Sequence, residues 1–257
     1  CEAGRQPFTV IVCPMYSSPG TLGQHASQPQ TRPFILIEYT HAMGNSNGDV
    51  WSYWNQIYNM PYLQGGFVWD WVDQSLLQPV VDNPDKKYLK VKDGDKTYWA
   101  FGGDFGQGVP SDDNFCCNGL ISADRTPHPG LSEMSKVYQS VQVKAADLEK
   151  GQIEIKNGYF FTNLNDFVQG TWTISADDKV IQSGNIDSLD IAPEQTKQIT
   201  IPFKSFTPEP GVEYFLNLDF KLKDEQSWAP KGFEIAWEQF KLPIEKAPAK
   251  VDLSNVA

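Results

Sequence analysis

The hydrophobic and polar positions in the first third of the chain predict a strand, a helix and a second strand. The run Phe34–Ile37 is apolar at four consecutive positions, which is typical of a buried strand, and it ends at Glu38. Residues Asp49–Met60 then place apolar side chains at helical spacing, and Pro61 ends that pattern. Gln64–Gln74 is predicted to be the next strand. This order indicates two parallel strands joined by a right-handed crossover.

A carboxylate at the C-terminal end of a buried strand is a candidate catalytic group, because active sites of β/α barrels lie at those strand ends. Glu38 has this position, and a turn-forming run with His41, Gly44 and two asparagines follows it. The alternative is a glutamate that caps a helix or forms a salt bridge. Without its flanking residues, such a glutamate is more often structural than catalytic.

Two tryptophans, Trp69 and Trp71, lie near the end of the second predicted strand. Tryptophans alone usually belong to the core. Beside a strand-end carboxylate they also suit a sugar, because the C–H face of a sugar stacks on aromatic rings while its hydroxyls bind polar groups. Gly65 and Gly66, before them, indicate close packing of the backbone.

The pattern changes after Pro129. Leu131–Val141 is predicted to be a helix that completes the outer layer of a barrel. Short alternating runs separated by Gly, Pro and Asp-Asp turns follow and predict an immunoglobulin-like β-sandwich. These runs are Ile153–Lys156, Tyr159–Thr162, Gly170–Ile174, Ile199–Ile201 and Tyr214–Phe220. The pattern thus divides the chain into a part with alternating strands and helices up to about residue 141 and a strand-rich part from 142 to 257, for which a structural or spacing role is predicted.

Composition narrows the classes of function. The net charge of −11 and pI near 4.7 argue against nucleic acid as a partner, because phosphates repel an acidic surface. No run is long and apolar enough to predict a membrane span. Residues 1–5 do not resemble a signal peptide, and the compartment, cytoplasmic or periplasmic, stays open.

The cysteines and histidines do not predict a zinc site. The vicinal pair Cys116-Cys117 has no second pair at zinc-ligand spacing, so buried, reduced thiols are the favoured interpretation. His25 is predicted to be solvated in a polar loop, and His128 is predicted to shape a turn between two prolines. The polar stretch at residues 82–96 resembles a calcium loop only in one Asp-Gly-Asp triplet, so a solvated loop or hairpin is favoured.

Several longer motifs closely resemble the large bacterial β-galactosidases of glycoside hydrolase family 2. They occur in the family's order, and the resemblance covers nearly the whole chain, most strongly from residue 34 to 129. The motifs are Cys13–Tyr16, Glu38–Ser46, Leu63–Gln74, Gly102–Gly106, Asn114–Leu120 and Ala123–Pro129. β-Glucuronidases and β-mannosidases share the barrel, but the runs after Glu38 and around Trp69 favour a galactosidase.

The resemblance implies a role for several residues. Glu38 matches the catalytic nucleophile of a retaining glycosidase, and Tyr16 matches the tyrosine that hydrogen-bonds it. His41 matches a residue that contacts galactose hydroxyls, and Trp69 matches the aromatic wall beside the sugar.

A sodium site is implied at Asn118 and the backbone carbonyl of Phe115, where the ion helps to seat the sugar and hard oxygen ligands are appropriate. Asp112 lies close to this loop in sequence and is a candidate to support it. The magnesium ligands of the family lie on earlier barrel strands and have no match in this chain.

The resemblance also implies that this chain corresponds to an internal piece of a longer enzyme, with the C-terminal part of a TIM (β/α)8 barrel at residues 1–141 and an immunoglobulin-like β-sandwich at 142–257. The first barrel strands, which carry the acid/base glutamate, have no match here, and the chain alone is expected to be inactive or nearly so. Its expected partners are a β-galactoside and the N-terminal part of the same enzyme, and the complete enzyme is expected to be a homo-oligomer. The alternative is a non-catalytic carbohydrate-binding or assembly module that kept the motifs.

Overall fold

Helices and strands alternate in the first half of the chain, whereas the second half consists mainly of strands. The computed structural model describes residues 6–44, 46–80, 94–106, 108–112 and 115–248. The chain divides between Val137 and Tyr138 into two compact units. The first contains α1 (Pro19–Ala26), β1 (Phe34–Tyr39), α2 (Val50–Asn59), β2 (Leu63–Val68), β3 (Leu76–Pro79), β4 (Thr97–Ala100) and α3 (Pro129–Val137).

The predicted strand, helix and strand of the first unit are confirmed as β1, α2 and β2. The second strand was predicted to reach Gln74 but ends at Val68, because from Asp70 onward the backbone bonds to residues 118–121 instead of β1. β1 and β2 are parallel, with Phe34 opposite Leu63 and Tyr39 opposite Val68. On the other side of β1, single parallel bridges connect Val12 and Met15 to that strand. Three parallel segments therefore end on the same side, and the side chains at their C-terminal ends lie close together.

The core of the first unit lies between these strands and the three helices. Its fully buried side chains include Leu22 of α1, Leu36 of β1 and Met134 of α3. Burying each such side chain contributes about 1.5–3 kcal/mol. The strand ends are thus held by a packed apolar cluster.

One local prediction for the first unit is wrong and another is not tested. His25 lies on α1, not in a solvated loop, and its ring centroid is 4.8 Å from that of Phe34. The helix forms because Ser18 caps it, Pro19 suits its first position and Leu22 anchors it in the core. The predicted polar loop at residues 82–96 falls mostly outside the described residues.

The second unit contains two antiparallel sheets. Its elements are β5 (Val141–Asp147), β6 (Gln152–Asn157), α4 (Leu164–Phe167), β7 (Val168–Ala176), β8 (Lys179–Ile186), β9 (Thr196–Thr200), β10 (Tyr214–Leu222) and β11 (Glu234–Lys241). One sheet has the strand order β11-β10-β7-β8 and the other β5-β6-β9, and both contribute side chains to one apolar cluster. β10 alternates buried and half-buried positions along its whole length, as a strand with one face on the core should.

Two boundaries in this region differ from the prediction. The helix predicted to reach Val141 ends at Val137, and Val141 is instead the buried first residue of β5. The run Tyr159–Thr162 is not a strand. The Asn157 side chain binds the backbone of Tyr159 and of Thr162, the two ends of this run, and Phe161 is 96% exposed. Within the described ranges, no helix is both long and apolar enough to cross a bilayer.

Candidate active site

Glu38 and Tyr16 form the centre of the candidate site. Glu38 lies near the C-terminal end of β1, and Tyr16 ends the neighbouring parallel segment. The Tyr16 hydroxyl donates a 2.8 Å hydrogen bond to Glu38 Oε2, and the Tyr16 backbone N–H donates to the Glu38 carbonyl, also at 2.8 Å. Backbone and side chain together therefore fix the tyrosine on the carboxylate. Tyr16 also has a left-handed backbone, with φ of 47°.

The environment keeps Tyr16 protonated. Partial burial raises the pKa of its hydroxyl well above the ordinary value of 10, the hydrogen bond to Glu38 and the charge of Glu38 raise it further, and the charge of Asp70 adds to this. Each effect disfavours the phenolate. Tyr16 is therefore a hydrogen-bond donor to Glu38 throughout the neutral pH range.

His41 lies in the loop that follows β1. Its Nδ1 accepts a hydrogen bond from the Met43 backbone N–H at 3.3 Å, so the hydrogen of the neutral ring is on Nε2. Nε2 is buried and has no partner within the described part of the molecule. The ring lies between two aromatic rings, 6.0 Å from Tyr16 and 5.3 Å from Phe115 between centroids.

Trp69 immediately follows β2, and its backbone joins the β2 end to the β1 end. Its N–H donates to the Tyr39 carbonyl, its carbonyl accepts from the Ala42 N–H, and the peptide bond between Trp69 and Asp70 is cis. The indole is half-buried, and its Nε1 hydrogen is buried without an acceptor among the described residues. Trp69 thus offers both a ring face and one donor.

Asn118 and Phe115 lie together in a turn that is bonded to the end of β2. Asn118 is 1% exposed, and its Nδ2 donates to the Phe115 carbonyl at 2.9 Å. The Asn118 carbonyl accepts from the Asp70 N–H at 2.8 Å. Asn118 Oδ1 is buried and accepts no hydrogen bond from the described residues. The structure therefore brings this turn to the strand ends that carry Glu38 and Trp69.

The oxygen atoms of this turn fit part of a sodium shell. Asn118 Oδ1 and the Phe115 carbonyl are both oxygens of the kind that hard cations prefer. Asp112 supports this turn through its backbone, because its carbonyl accepts a hydrogen bond from the Phe115 N–H at 3.0 Å. Among the residues that the structure describes, no group of three or more His, Cys, Asp or Glu side chains is arranged to hold a metal ion.

Sequence reasoning missed Asn47, the residue that holds the backbone after Glu38 by binding Thr40. Thr40 is buried and has a left-handed backbone with φ of 45°. Asn47 Nδ2 donates to the Thr40 carbonyl at 3.0 Å and to its hydroxyl at 3.3 Å. Asn47 belongs to the turn-forming run, so its position was visible in the sequence, but its bonding partner was not.

A second missed residue, Glu133, comes from α3. The N-cap of α2, Asp49, makes no side-chain capping bond, and Glu133 Oε1 instead accepts from the N–H groups of Val50 at 2.7 Å and Trp51 at 3.4 Å. The loop that carries His41 is thereby held at its far end. Nothing near either end of this contact in the sequence indicates it.

A third missed residue is Asp70, whose charge acts on Tyr16. Its Oδ2 accepts from Gln74 Nε2 at 2.6 Å, and its Oδ1 is buried without a partner among the described residues. The position of Asp70 directly after Trp69 was the signal in the sequence that could have identified it.

The vicinal thiols lie between Phe115 and Asn118. Cys116 is buried, as predicted, but Cys117 is exposed, so the prediction is wrong for that residue. Their sulfur atoms are 3.8 Å apart. Partial burial raises the pKa of the Cys117 thiol. The charge of Cys116 and its hydrogen bond, and then the charge of Asp73, raise it further, to about 11. Cys117 lines a cavity of about 590 Å³ whose wall also includes Asn47, Gly130 and Glu133.

His128 connects the turn to the following helix. Its ring nitrogens lie 2.8 Å from the Gly119 carbonyl and 2.8 Å from the Ser122 hydroxyl, which is a structural arrangement. Both nitrogens are therefore occupied by local partners.

Comparison with known proteins places these features in a family. Residues 7–143 match the model of the glycosyl hydrolases family 2 TIM barrel domain, and residues 153–243 match that of β-galactosidase domain 4. The β-galactosidase of Priestia megaterium is 38% identical over 246 residues, which is 95% of this chain and 22% of that protein. β-Galactosidase 2 of Enterobacter cloacae is 38% identical over 247 residues, 91% of this chain and 22% of the relative.

The β-galactosidase of Pectobacterium atrosepticum is 36% identical over 248 residues, 92% of this chain and 22% of its own length. The chain thus spans about a fifth of the length of the curated relatives it matches. The first model covers more than half of the chain, and its match lies on the unit that contains Tyr16, Glu38 and Asn118. The chain belongs to glycoside hydrolase family 2, and nearly all of it is similar to part of bacterial β-galactosidases.

Proposed function

We propose that this chain carries the nucleophile half of the active site of a retaining β-galactosidase, an enzyme that releases terminal β-D-galactose from β-galactosides such as lactose. The observation that supports this most directly is the 2.8 Å hydrogen bond from the Tyr16 hydroxyl to Glu38 Oε2 at the ends of neighbouring parallel segments. A strand-end carboxylate held in this way has the fixed orientation that attack on a bound sugar requires.

In the proposed reaction, one carboxylate oxygen of Glu38 attacks the anomeric carbon while the bond to the glycosidic oxygen breaks. This forms a covalent glycosyl ester, which water then hydrolyses. Tyr16 stabilises Glu38 as a leaving carboxylate in the second step, because its hydroxyl stays protonated and donates to Oε2.

Three buried polar atoms are proposed to bind the sugar. His41 Nε2 and Trp69 Nε1 carry hydrogens without an acceptor, and Asn118 Oδ1 is an acceptor without a donor, within the described residues. Leaving a buried polar atom unpaired costs about 1–3 kcal/mol. Sugar hydroxyls can satisfy all three atoms, because each hydroxyl both donates and accepts.

Asn118 Oδ1 and the Phe115 carbonyl are proposed to hold a sodium ion together with oxygen atoms from outside this turn. A bound cation would supply a fixed positive charge that orients a sugar hydroxyl. Because Asn118 Nδ2 already donates to the Phe115 carbonyl, the turn holds these two oxygens near each other before any ion binds.

A retaining enzyme needs a second carboxyl group about 5–5.5 Å from the nucleophile. We propose that the acid/base glutamate and the magnesium ligands come from a segment of the longer enzyme that this chain does not contain. Losing the proton donor costs about 10²–10⁴-fold in rate, so the chain alone is proposed to be inactive or nearly so.

The partner proposed for this chain is the N-terminal part of the same enzyme. Among the described strands, β2 pairs only with β1, which leaves its other edge available. The large apolar side chains of Phe8, Val10 and Phe67 in the same unit are 78%, 82% and 66% exposed. An open strand edge beside exposed apolar side chains suits the addition of further barrel strands.

The second unit is proposed to be an immunoglobulin-like β-sandwich with a structural role. Its support is the shared apolar cluster of the two antiparallel sheets. The complete enzyme is proposed to be a homo-oligomer.

The test is complementation. The chain is assayed with a chromogenic β-galactoside, alone and mixed with the N-terminal portion of a similar family 2 β-galactosidase, using wild type, Glu38→Gln and Asp70→Asn. We expect turnover only in the mixture and its complete loss in Glu38→Gln. Turnover that survives Glu38→Gln would contradict the role of Glu38. If turnover is lost in Asp70→Asn but kept in Glu38→Gln, the nucleophile would be Asp70.

One further outcome favours the alternative. If size-exclusion chromatography shows that the two pieces associate, and galactose binds without any turnover, the chain is a carbohydrate-binding or assembly module.

A further inference from the structure

We propose that Cys116 and Cys117 form a dithiol site for trivalent arsenicals that carry one organic substituent. The two sulfur atoms lie 3.8 Å apart in the native fold. Soft sulfur ligands favour soft, thiophilic centres over hard cations. An arsenical with one organic group has two exchangeable positions, which matches two thiols and needs no third protein ligand.

The spacing suits a bridged dithiol better than a disulfide. A disulfide requires the two sulfurs to approach to about 2.05 Å, whereas an inserted atom leaves them apart. The backbone around the pair is already fixed, because the Cys116 carbonyl accepts from the Gln74 N–H at 2.8 Å and the Asn118 carbonyl accepts from the Asp70 N–H. Bridging therefore requires less movement of this turn than oxidation does.

The unequal exposure of the two thiols defines an order of events. Cys117 is exposed and lines the cavity of about 590 Å³, whereas Cys116 is 6% exposed. The first arsenic–sulfur bond forms at Cys117. The second then forms within one molecule, where a high effective concentration favours closure.

The chemistry is a condensation without a change of oxidation state. Each thiol hydrogen combines with one hydroxyl of the hydrated arsenical, R–As(OH)2, to release water. Two As–O bonds and two S–H bonds break, and two As–S bonds form with two water molecules as the other product. Arsenic stays trivalent, so no oxidant or reductant is needed.

The adduct would lie between Phe115 and Asn118. If the proposed function holds, binding of the arsenical also weakens sugar binding at this turn. The binding itself does not depend on that function, and the primary measurement makes no use of activity.

The experiment treats the full chain with phenylarsine oxide and follows the intact mass. We expect one phenylarsenic group per chain, retained through an excess of monothiol and removed by 2,3-dimercaptopropanol. Cys116→Ser and Cys117→Ser should each lose the monothiol-resistant adduct, with release at least ~10²-fold faster than from wild type. Cys13→Ser should keep it.

Peptide mapping of the wild-type adduct guards against misfolded variants, because arsenic must be found on the peptide that contains both cysteines. No stable adduct in wild type, arsenic on another peptide, or an adduct that survives in either serine variant would overturn the proposal.

Discussion

Gly130 lies so close to the Asn47 side chain that a Cβ atom at position 130 would be 1.8 Å from Asn47 Oδ1. The same Asn47 amide holds the left-handed Thr40 two residues after Glu38. Because Gly130 has no side chain, Asn47 can take the position from which it binds the backbone beside the proposed nucleophile.

The first prediction follows from this contact. Gly130→Ala must displace Asn47, and overpacking costs about 1–3 kcal/mol, partly offset by the helix preference of alanine of up to about 1 kcal/mol. We expect the free energy of unfolding to fall by roughly 1–2 kcal/mol net, measured by urea denaturation. Gly48→Ala is the matched control, because no atom lies within 4 Å of a Cβ there. Equal stability of the two variants would contradict the steric argument.

Tyr16→Phe tests the hydrogen bond at the site centre. A hydrogen bond to a charged group contributes about 1.5–3 kcal/mol, which corresponds to a loss of about 10- to 150-fold in turnover of the complemented enzyme. The ring stays, so thermal unfolding should be nearly unchanged. Tyr53→Phe, which alters a half-buried tyrosine on α2, serves as the control. Full activity in Tyr16→Phe would remove this bond from the mechanism.

Glu133→Ala removes the acceptor from the first turn of α2. We expect a loss of about 0.5–2 kcal/mol in the free energy of unfolding, which is the usual range for a lost cap. Glu133→Gln keeps an acceptor oxygen and loses only the charge, so its effect should be smaller. A larger loss in the glutamine variant would mean that charge, not capping, is important.

Alkylation of Cys117 should depend on pH in an unusual way. The ordinary thiol pKa is 9.0, and that of Cys117 is raised to about 11, so at pH 8 about a hundredfold less of it is thiolate. The more basic thiolate is about tenfold more nucleophilic, which leaves a rate about tenfold lower. Iodoacetamide labelling followed by peptide mass spectrometry should show the Cys117 rate still rising above pH 9.5, where an ordinary thiol levels off. A plateau below pH 9.5 would contradict the raised pKa.

In the second unit, Asn157 is fully buried and is expected to be essential for stability. Its Nδ2 donates to the Thr162 and Ile191 carbonyls, and its Oδ1 accepts from the Tyr159 N–H, each at 2.9 Å. Asn157→Ala leaves the Tyr159 N–H and the Thr162 carbonyl unpaired at about 1–3 kcal/mol each, whereas the Ile191 carbonyl keeps the Leu164 N–H, so a loss of roughly 2 kcal/mol or more is expected on thermal unfolding. Asn185→Ala, on an exposed strand position, should change stability by less than about 0.5 kcal/mol.

Local pattern was enough to predict β1 from a continuous apolar run, α2 from its helical periodicity, and the start of β2. It failed at Tyr159–Thr162, where Asn157 binds the backbone of a run of three aromatic residues and a threonine. It also failed at His25, where Ser18 and Pro19 start a helix in a polar run. Such side-chain bonds to the backbone are not visible in hydrophobic pattern alone.

The candidate site was predicted mainly from motif resemblance, and the geometry adds the supporting residues. Asn47, Asp70 and Glu133 were missed because their roles depend on partners brought together only by the fold. For Glu133, 83 residues separate the acceptor from the Val50 N–H that it binds.

The distance along the chain between Glu133 and α2 has a consequence for synthesis. A ribosome must add 83 residues after Val50 before the acceptor for the first turn of α2 exists. We expect nascent chains arrested before Glu133 to be cleaved by protease in the His41 loop, and chains arrested well beyond it to be protected. Equal cleavage of both would contradict this. The loop that carries His41 would then be among the last parts of its unit to mature, although it is made early.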